Sequence, residues 1–542
     1  MSVAARFVLS STGRVSATAQ AVADAFGNAS VAGQAYATGL GDPQAMFVTT
    51  DTVAAGDSEN GGWRRTVTGQ LRVYDATAGL PANSGVHQGV AMTEDGQVCY
   101  TTATSGDVYS LAAVSVDELG RVYMDFLSFV LPLSDDGAGA VDLVPTLAGD
   151  ATPTFTRATT ATTVLSTGLI AAVGSGVARS WYDPTTLVYG GYLAEGARTN
   201  LCLQSEDYSS ASWTTVTDTT ITADAITSPD GAVTADLLTE GSAGTAVVGQ
   251  AVTATANVVS SQSRFIRRGN HTWVRLELAN GANFVRGWFN LLTGAVGSST
   301  VGGTGVLGSI SIKAYPNEWY RCTVNGNLGG VVTAYGINSY SASADVSTVR
   351  VSGGTRYEWG AQFEDNSAFA SSYIPTTTAA VVRNADVLTY PTAGNMNVGT
   401  SAGSWYAEVA SPSVVSAATR RVFFATTAAG NNRLEYRFPS DVSTDSGGAY
   451  GTGAAVITLT GAAIISGTVY KLAGAYGANG GRFAQSGVLT DTNATASDLG
   501  SETSFGIGCT NTAAAQLFGT IKNVLIWTSQ VPNAALQVMT DG

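Results

Sequence analysis

Charge is scarce in this 542-residue chain: 12% of residues are Asp, Glu, Lys or Arg, against roughly a quarter in an average soluble domain. With 44% apolar residues, that scarcity excludes disorder, which needs many charges and few hydrophobes. Base is scarcer than acid, 26 residues to 40, for a net charge of −14. Such a surface repels phosphate backbones and anionic headgroups, so neither nucleic acid nor a membrane is an expected partner. Lysine occurs only at Lys313, Lys471 and Lys522, which excludes polybasic targeting runs. Histidine occurs only at His87 and His271. Neither lies in a catalytic or metal-binding motif, and both are expected at the surface or a rim. The cysteines, Cys99, Cys202, Cys322 and Cys509, stand far apart. No C-x-x-C spacing for zinc or redox chemistry exists, so all four are expected as isolated small hydrophobes. Long apolar runs are missing too: no window approaches the roughly 18 residues of a membrane span. The segment Met1–Ser10 has too short an apolar run for a signal-peptide core. The expectation is a chain made in the cytoplasm that leaves, if at all, without a signal.

What is abundant is glycine, 64 residues, together with turn dipeptides. Asn-Gly stands at 60–61, 280–281, 325–326 and 479–480, and Asp-Gly at 95–96, 136–137 and 230–231. Between them lie short alternating segments such as 69–74, 273–278 and 307–313. Period-two alternation between Gly, Asn and Asp marks half-buried antiparallel strands. The fold class expected is all-β, as tandem antiparallel β-sandwich or jelly-roll domains with few short helices. One helix is expected over Ser16–Phe26, and one after Asn533 through Ala534, Leu536 and Val538. Composition divides the chain into a first unit at 1–131, a linker at 132–154, a second unit at 155–390 and a third at 391–542.

Chemistry-bearing motifs are thin. Asp135-Asp136, Glu364-Asp365-Asn366 and Asp57-Ser58-Glu59-Asn60-Gly61 each lack the ligand spacing of an EF-hand loop and are expected as solvated turns. Structural calcium held between separated loops stays open, and no cofactor is implied. Nucleophile elbows and phosphate loops are absent; Val173-Gly174-Ser175-Gly176 has the wrong spacing. No catalytic residue can be named. A carboxylate pair for glycoside hydrolysis would have to meet in space. Aromatics are the remaining resource: six of the nine tryptophans fall in the second unit. Indole rings there either fill a core or form a platform for sugar faces. Strand-like flanks push Trp319 and Trp359 toward the core. Trp273, Trp288 and Trp213 are the candidate glycan contacts.

The second unit also carries a string of motifs: Phe155-Thr156-Arg157, Tyr182-Asp183-Pro184, then 192–201 with Arg198-Thr199-Asn200-Leu201. Ala211-Ser212-Trp213, 288–294, 317–321, 359–364, Ser372-Tyr373-Ile374-Pro375-Thr376 and 383–386 follow in order. The string resembles carbohydrate-binding-like β-sandwich modules of tailed-bacteriophage head-fibre and tail-fibre proteins. The third unit, with 404–409 and 519–527 as opening and closing strands, resembles a concanavalin A-like or laminin-G-like jelly roll. The resemblance implies a structural virion protein that displays β-sandwiches for host-surface or environmental polysaccharide. It also implies a homotrimer, release by lysis, and attachment to other virion proteins through residues 1–131. Arg198, Asn200, Trp319 and Trp359 are expected as fold determinants, the first two through hydrogen bonds to backbone. A decoration protein that binds no glycan, and a capsule depolymerase, are the alternatives.

Overall fold

In the computed structural model the alternating segments are strands: 55% of residues lie in strands and 2% in helix, so the chain is all-β. The structure describes residues 131–541 apart from short connecting segments, the longest being 411–419, and, before residue 131, the backbone of strands. The expected segments appear as Gly69–Tyr74, Trp273–Asn280 and Val306–Tyr315. The expected C-terminal helix is α1, Asn533–Thr540, with Leu536 buried against Tyr406 and Trp527. The expected helix over Ser16–Phe26, the acidic cluster at 57–61, and the side chains of His87 and Cys99 lie outside the described residues.

The middle of the chain forms a two-layer sandwich, whose strands are numbered here along the chain. A front sheet runs in the order Thr215–Thr217 (β1), Val247–Thr253 (β4), Ala334–Ala342 (β11), Trp273–Asn280 (β6), Asn283–Asn290 (β7) and Ala295–Gly302 (β8). The back sheet runs Thr219–Thr227 (β2), Val233–Glu240 (β3), Thr355–Glu364 (β12), Ser260–Arg268 (β5), Trp319–Asn327 (β10) and Val306–Tyr315 (β9). Neighbours pair antiparallel, as in β6 with β7 and β5 with β10. The β6–β7 hairpin turns at the expected Asn280-Gly281, where Gly281 has φ 59°, a conformation with no steric penalty for glycine. Asn325-Gly326 is not a turn; both residues lie inside β10. There Asn325 Nδ2 donates to Ser309 Oγ of β9 at 2.7 Å, a side-chain bond across the ladder.

Inward positions of the two sheets make one core. Val248, Leu276, Leu278, Val285, Phe289 and Ile337 from the front meet Leu238, Ile266, Cys322, Val324 and Phe363 from the back. Each such side chain contributes roughly 1.5–3 kcal/mol on burial. One end of this layer is ionic. Arg264 Nη1 donates to Glu358 at 2.8 Å, and its Nη2 donates across the sandwich to the Ile337 carbonyl at 2.7 Å. Arg356 joins Glu358 at 2.6 Å and Glu240 at 2.5 Å. His271 is buried here too, 5% exposed, not at a surface or rim. Burial, with the Arg356 charge added, pushes its imidazole down to about 3. The free cysteines Cys202, Cys322 and Cys509 are buried.

Residues 404–409 and 519–527 lie in adjacent antiparallel strands of a second sandwich. Trp405, Leu472, Phe483 and Ile526 in one sheet pack over Leu388, Tyr390, Phe505 and Ile507 in the other. Hydrogen bonding crosses the boundaries expected from composition. Tyr192–Ala194 pair with Gly519–Ile521, Leu388–Pro391 with Ser504–Ile507, and Val524–Trp527 with Leu127–Leu131. The segment read as a linker places Leu133 and Val141 in this core. An ionic network ties residues 157–195 to 383–386: Asp386 accepts from Arg157 at 2.8 Å and Arg179 at 2.5 Å. Glu195 accepts from Arg179 at 2.9 Å and is paired with Arg383, whose Nη1 stands 2.8 Å away. Burial alone would raise the Glu195 carboxyl, but these two guanidinium groups hold it at about 2.

Candidate functional site

The two sandwich faces differ in what covers them. Outward residues of the back sheet, Phe265, Trp319 and Trp359, are buried under Ile170 and Tyr373. Gly360, at φ 63° beside a register shift against β5, lets β12 send Trp359 outward and Ala361 inward. Trp319 and Trp359 are therefore fold determinants, as expected. So is Asn200, whose Nδ2 donates to the Ala361 and Ile374 carbonyls while its Oδ1 accepts from the Cys202 and Phe363 amides. Arg198 differs: among the described residues its side chain bonds only to the local Ala197 carbonyl, and its guanidinium stacks on Phe518 at 4.3 Å.

The outward positions of the front sheet form an ordered array, because strand register places alternate residues in rows. One row is Ala251–Gly336–Ala279–Phe284–Gly302. The next is Gly249–Asn338–Glu277–Arg286–Thr300, and the third contains Tyr340–Arg275–Trp288. The first row is a shallow floor of small residues, half-buried or exposed, walled on one side by Phe284. The second and third carry the polar chemistry.

Glu277 is the hub of that array. It accepts from Arg286 Nε and from Tyr340 Oη (3.2 Å), and Arg275 Nη2 stands 3.7 Å away. Arg275 lies over the Tyr340 ring at 3.9 Å, and Arg286 over the Phe284 ring at 3.6 Å. Burial, reinforced by Glu277 and opposed by Arg275, pushes the Tyr340 phenol up to about 12. Glu277 and Arg275 are each 4% exposed, whereas the Arg286 side chain is 23% exposed. The terminal nitrogens of Arg286 and the side-chain amide of Asn338 have no hydrogen-bond partner among the described residues. Two free donor groups therefore flank a carboxylate that is already held.

Of the candidate tryptophans, Trp288 and Trp273 border these donors on the front sheet and Trp213 does not. Trp213 is 3% exposed, stacked on Tyr208 at 4.4 Å with Arg264 at 4.8 Å on its ring. Trp288 is 1% exposed, and its Nε1 donates to the Ser347 carbonyl of the loop after β11 at 2.8 Å. Trp273 alone of the three is half-buried; its ring lies so close to Gly297 that a Cβ there would stand 2.6 Å away. Of the acidic clusters, Asp136 accepts from the Ala138 amide at 2.8 Å in an exposed turn, and Asp365 accepts from the Thr255 amide at 3.0 Å. Glu364 is not solvated: it is fully buried and accepts from the Ser371 amide at 2.8 Å. Among the described residues no three His, Cys, Asp or Glu side chains converge as a metal set, and no helix is long and apolar enough to cross a membrane.

No family model matches the sequence, and no curated protein matches it. Among solved structures, domain 4 of AbnA, an extracellular arabinanase of Geobacillus stearothermophilus in complex with arabinotriose, is similar over 33% of this chain and 84% of its own. The TM-score is 0.25 and the identity 14%. Trypanosoma rangeli sialidase in complex with the inhibitor DANA covers 93% of each chain at TM-score 0.24 and 8% identity. Mouse laminin α1 chain domains LG4-5 cover 53% of this chain and 89% of their own at TM-score 0.19 and 10% identity. Likenesses this weak identify neither a ligand nor an activity for this chain.

Proposed function

We propose that this chain is a structural appendage of a tailed-phage virion, a head or tail fibre, and that the front sheet of its central sandwich binds glycan. One observation carries the binding: the back sheet is covered by the chain itself, while the front sheet presents unused donors around a shallow floor. Sugar hydroxyls are bound by such side-chain amide and guanidinium donors, and a flat floor of small residues admits a pyranose ring. The fibre assignment draws its support from the ordered motif string between 155 and 386. In this reading the chain is a homotrimer made in the host cytoplasm, attached to other virion proteins through residues 1–131, and multivalency raises weak single-site affinity. A carboxylate pinned by Arg286, Arg275 and Tyr340 supports binding over hydrolysis, which needs a carboxyl free to move a proton.

Burial of Trp213 and Trp288 favours a second reading, a decoration protein with no ligand. Retention of the full-length protein on an array of bacterial surface polysaccharides separates the two. Binding that Asn338→Ala weakens supports the glycan face. Absence of binding to any polysaccharide by the assembled protein overturns it.

A further inference from the structure

Charge on the front face runs against the charge of the molecule. The chain carries −14 overall, yet the three rows hold two arginines, Arg275 and Arg286, and one carboxylate, Glu277. The balance of those three residues is one net positive charge. Asp345 accepts the Ser298 amide at 2.8 Å and hydroxyl at 2.9 Å beside Trp273 and keeps its negative charge at that far end, so the positive balance belongs to the Arg286 end of the face.

The two arginines are not equivalent. Arg275 is closed in by Tyr340 and Glu277, and its buried Nε has no partner. Arg286 is fixed at its inner edge, with Nε on Glu277 and its plane on Phe284. Its terminal nitrogens have no hydrogen-bond partner among the described residues, and the side chain is partly exposed. A guanidinium immobilised in this way has already lost its rotamer freedom, so less entropy is lost when it takes a ligand. Its planar fork matches a carboxylate through two parallel N–H···O bonds, and this is the geometry in which arginine outperforms lysine. Asn338 lies two strands away in the same row, about 10 Å across the sheet, within reach of the hydroxyls of the same or the next sugar.

We infer that the glycan recognised by this face carries a carboxylate, as a uronic or nonulosonic acid does, and that Arg286 binds that carboxylate while Asn338 binds a hydroxyl. This rests on the glycan-binding reading of the front sheet. Neutral sugars alone would offer the terminal nitrogens of Arg286 hydroxyls but not the opposite charge that their fork matches.

The test uses the full-length protein and a panel of uronic-acid and sialic-acid oligosaccharides, each paired with its carboxyl-reduced counterpart. At least one acidic probe is expected to bind tenfold or more tightly than its reduced partner, with an affinity that falls as salt rises. Arg286→Gln is expected to abolish that preference, so that the acidic probe binds no more tightly than its reduced partner, and Arg286→Lys to restore part of it. Equal, salt-independent affinity for both members of every pair would overturn the carboxylate assignment and leave the glycan face standing. Binding of neither member of any pair, as when a second copy covers the face, would overturn both. Should Arg286→Gln fail to fold, the paired affinities and their salt dependence on the unaltered protein still decide the matter.

Discussion

Gly249 faces Asn338 across the β4–β11 ladder so closely that a Cβ at 249 would stand 2.1 Å from Asn338 Oδ1. The space that glycine leaves is therefore where the Asn338 carboxamide rests. Gly249→Ala would push that amide off its position; the severe clash is with the end of a flexible side chain, and the Ile337 carbonyl, 3.2 Å from the new Cβ, need give only a few tenths of an ångström. The expected outcome is a several-fold loss of glycan affinity with a melting temperature within a few degrees of the unaltered protein. Isothermal titration beside differential scanning calorimetry checks both halves. Unchanged affinity would remove Asn338 from the binding face.

Asp386 accepts from two fully buried arginines, Arg157 and Arg179, and from the Glu195 amide at 3.0 Å. Removing one member of a buried ionic network leaves the others charged and unpaired, at a cost of about 3–5 kcal/mol. Asp386→Asn keeps the shape and removes the charge, so its urea midpoint is expected to fall by that equivalent. A loss under about 1 kcal/mol would mean that water reaches the network.

Two carboxylates give stability opposite pH dependences. Glu195 is held at about 2, below its ordinary 4.5, so its contribution is full above 4.5 and is lost as pH falls from there through 2. From the size of that depression the loss is on the order of 3 kcal/mol. Asp236 is raised by burial to about 6 from 3.8, despite accepting the Tyr208 and Asp224 amides. Its ionised form is disfavoured in the folded state, so its penalty is full above 6 and is relieved as pH falls through 6 toward 3.8. Chemical denaturation between pH 7 and 3 is expected to show Asp236→Asn removing the upper limb of this dependence and Glu195→Gln the lower one. Parallel curves for all three proteins would contradict the assignment.

These relationships show how far the sequence could be read. Strand positions, the Asn280-Gly281 turn and α1 followed from local pattern, because alternation and turn chemistry act within a few residues. Asn325-Gly326 misled, since a cross-strand bond to Ser309 outweighed its turn preference. Of the candidate face only the strand was read: 273–278 was expected as one, but nothing singled out Arg275 and Glu277, although their alternation with Val274, Leu276 and Leu278 in a chain poor in charge was a usable signal. Arg286, Asn338 and Tyr340 gave none, because register between distant strands decides which outward residues share a row. Aromatic count pointed to Trp213 and Trp288, but count cannot tell a ring stacked on Arg264 or sealed by the loop at Ser347 from an open one.

The tryptophans allow a last discrimination. Trp213 is buried, stacked on Tyr208, and donates Nε1 to the Gln204 carbonyl at 3.1 Å. Trp213→Ala would open a cavity and strip Arg264 of one of its ring contacts, leaving that to Tyr208, a loss of roughly 3–5 kcal/mol. Trp273 is half-buried in the row beyond Arg275, pairing with Ala342 and Asn290, with Gly297 beneath its ring. Its removal exposes little core, so Trp273→Ala is expected to cost well under half as much stability. If a glycan extends along the front sheet from Arg286 toward this end, Trp273→Ala also shortens the binding site, and affinity for long oligosaccharides falls while affinity for a disaccharide is kept. Titration of both variants with oligomers of increasing length reads this directly. Equal loss at every length would mean that Trp273 shapes the sheet instead of meeting the ligand, and the site would then end at Arg275 and Tyr340.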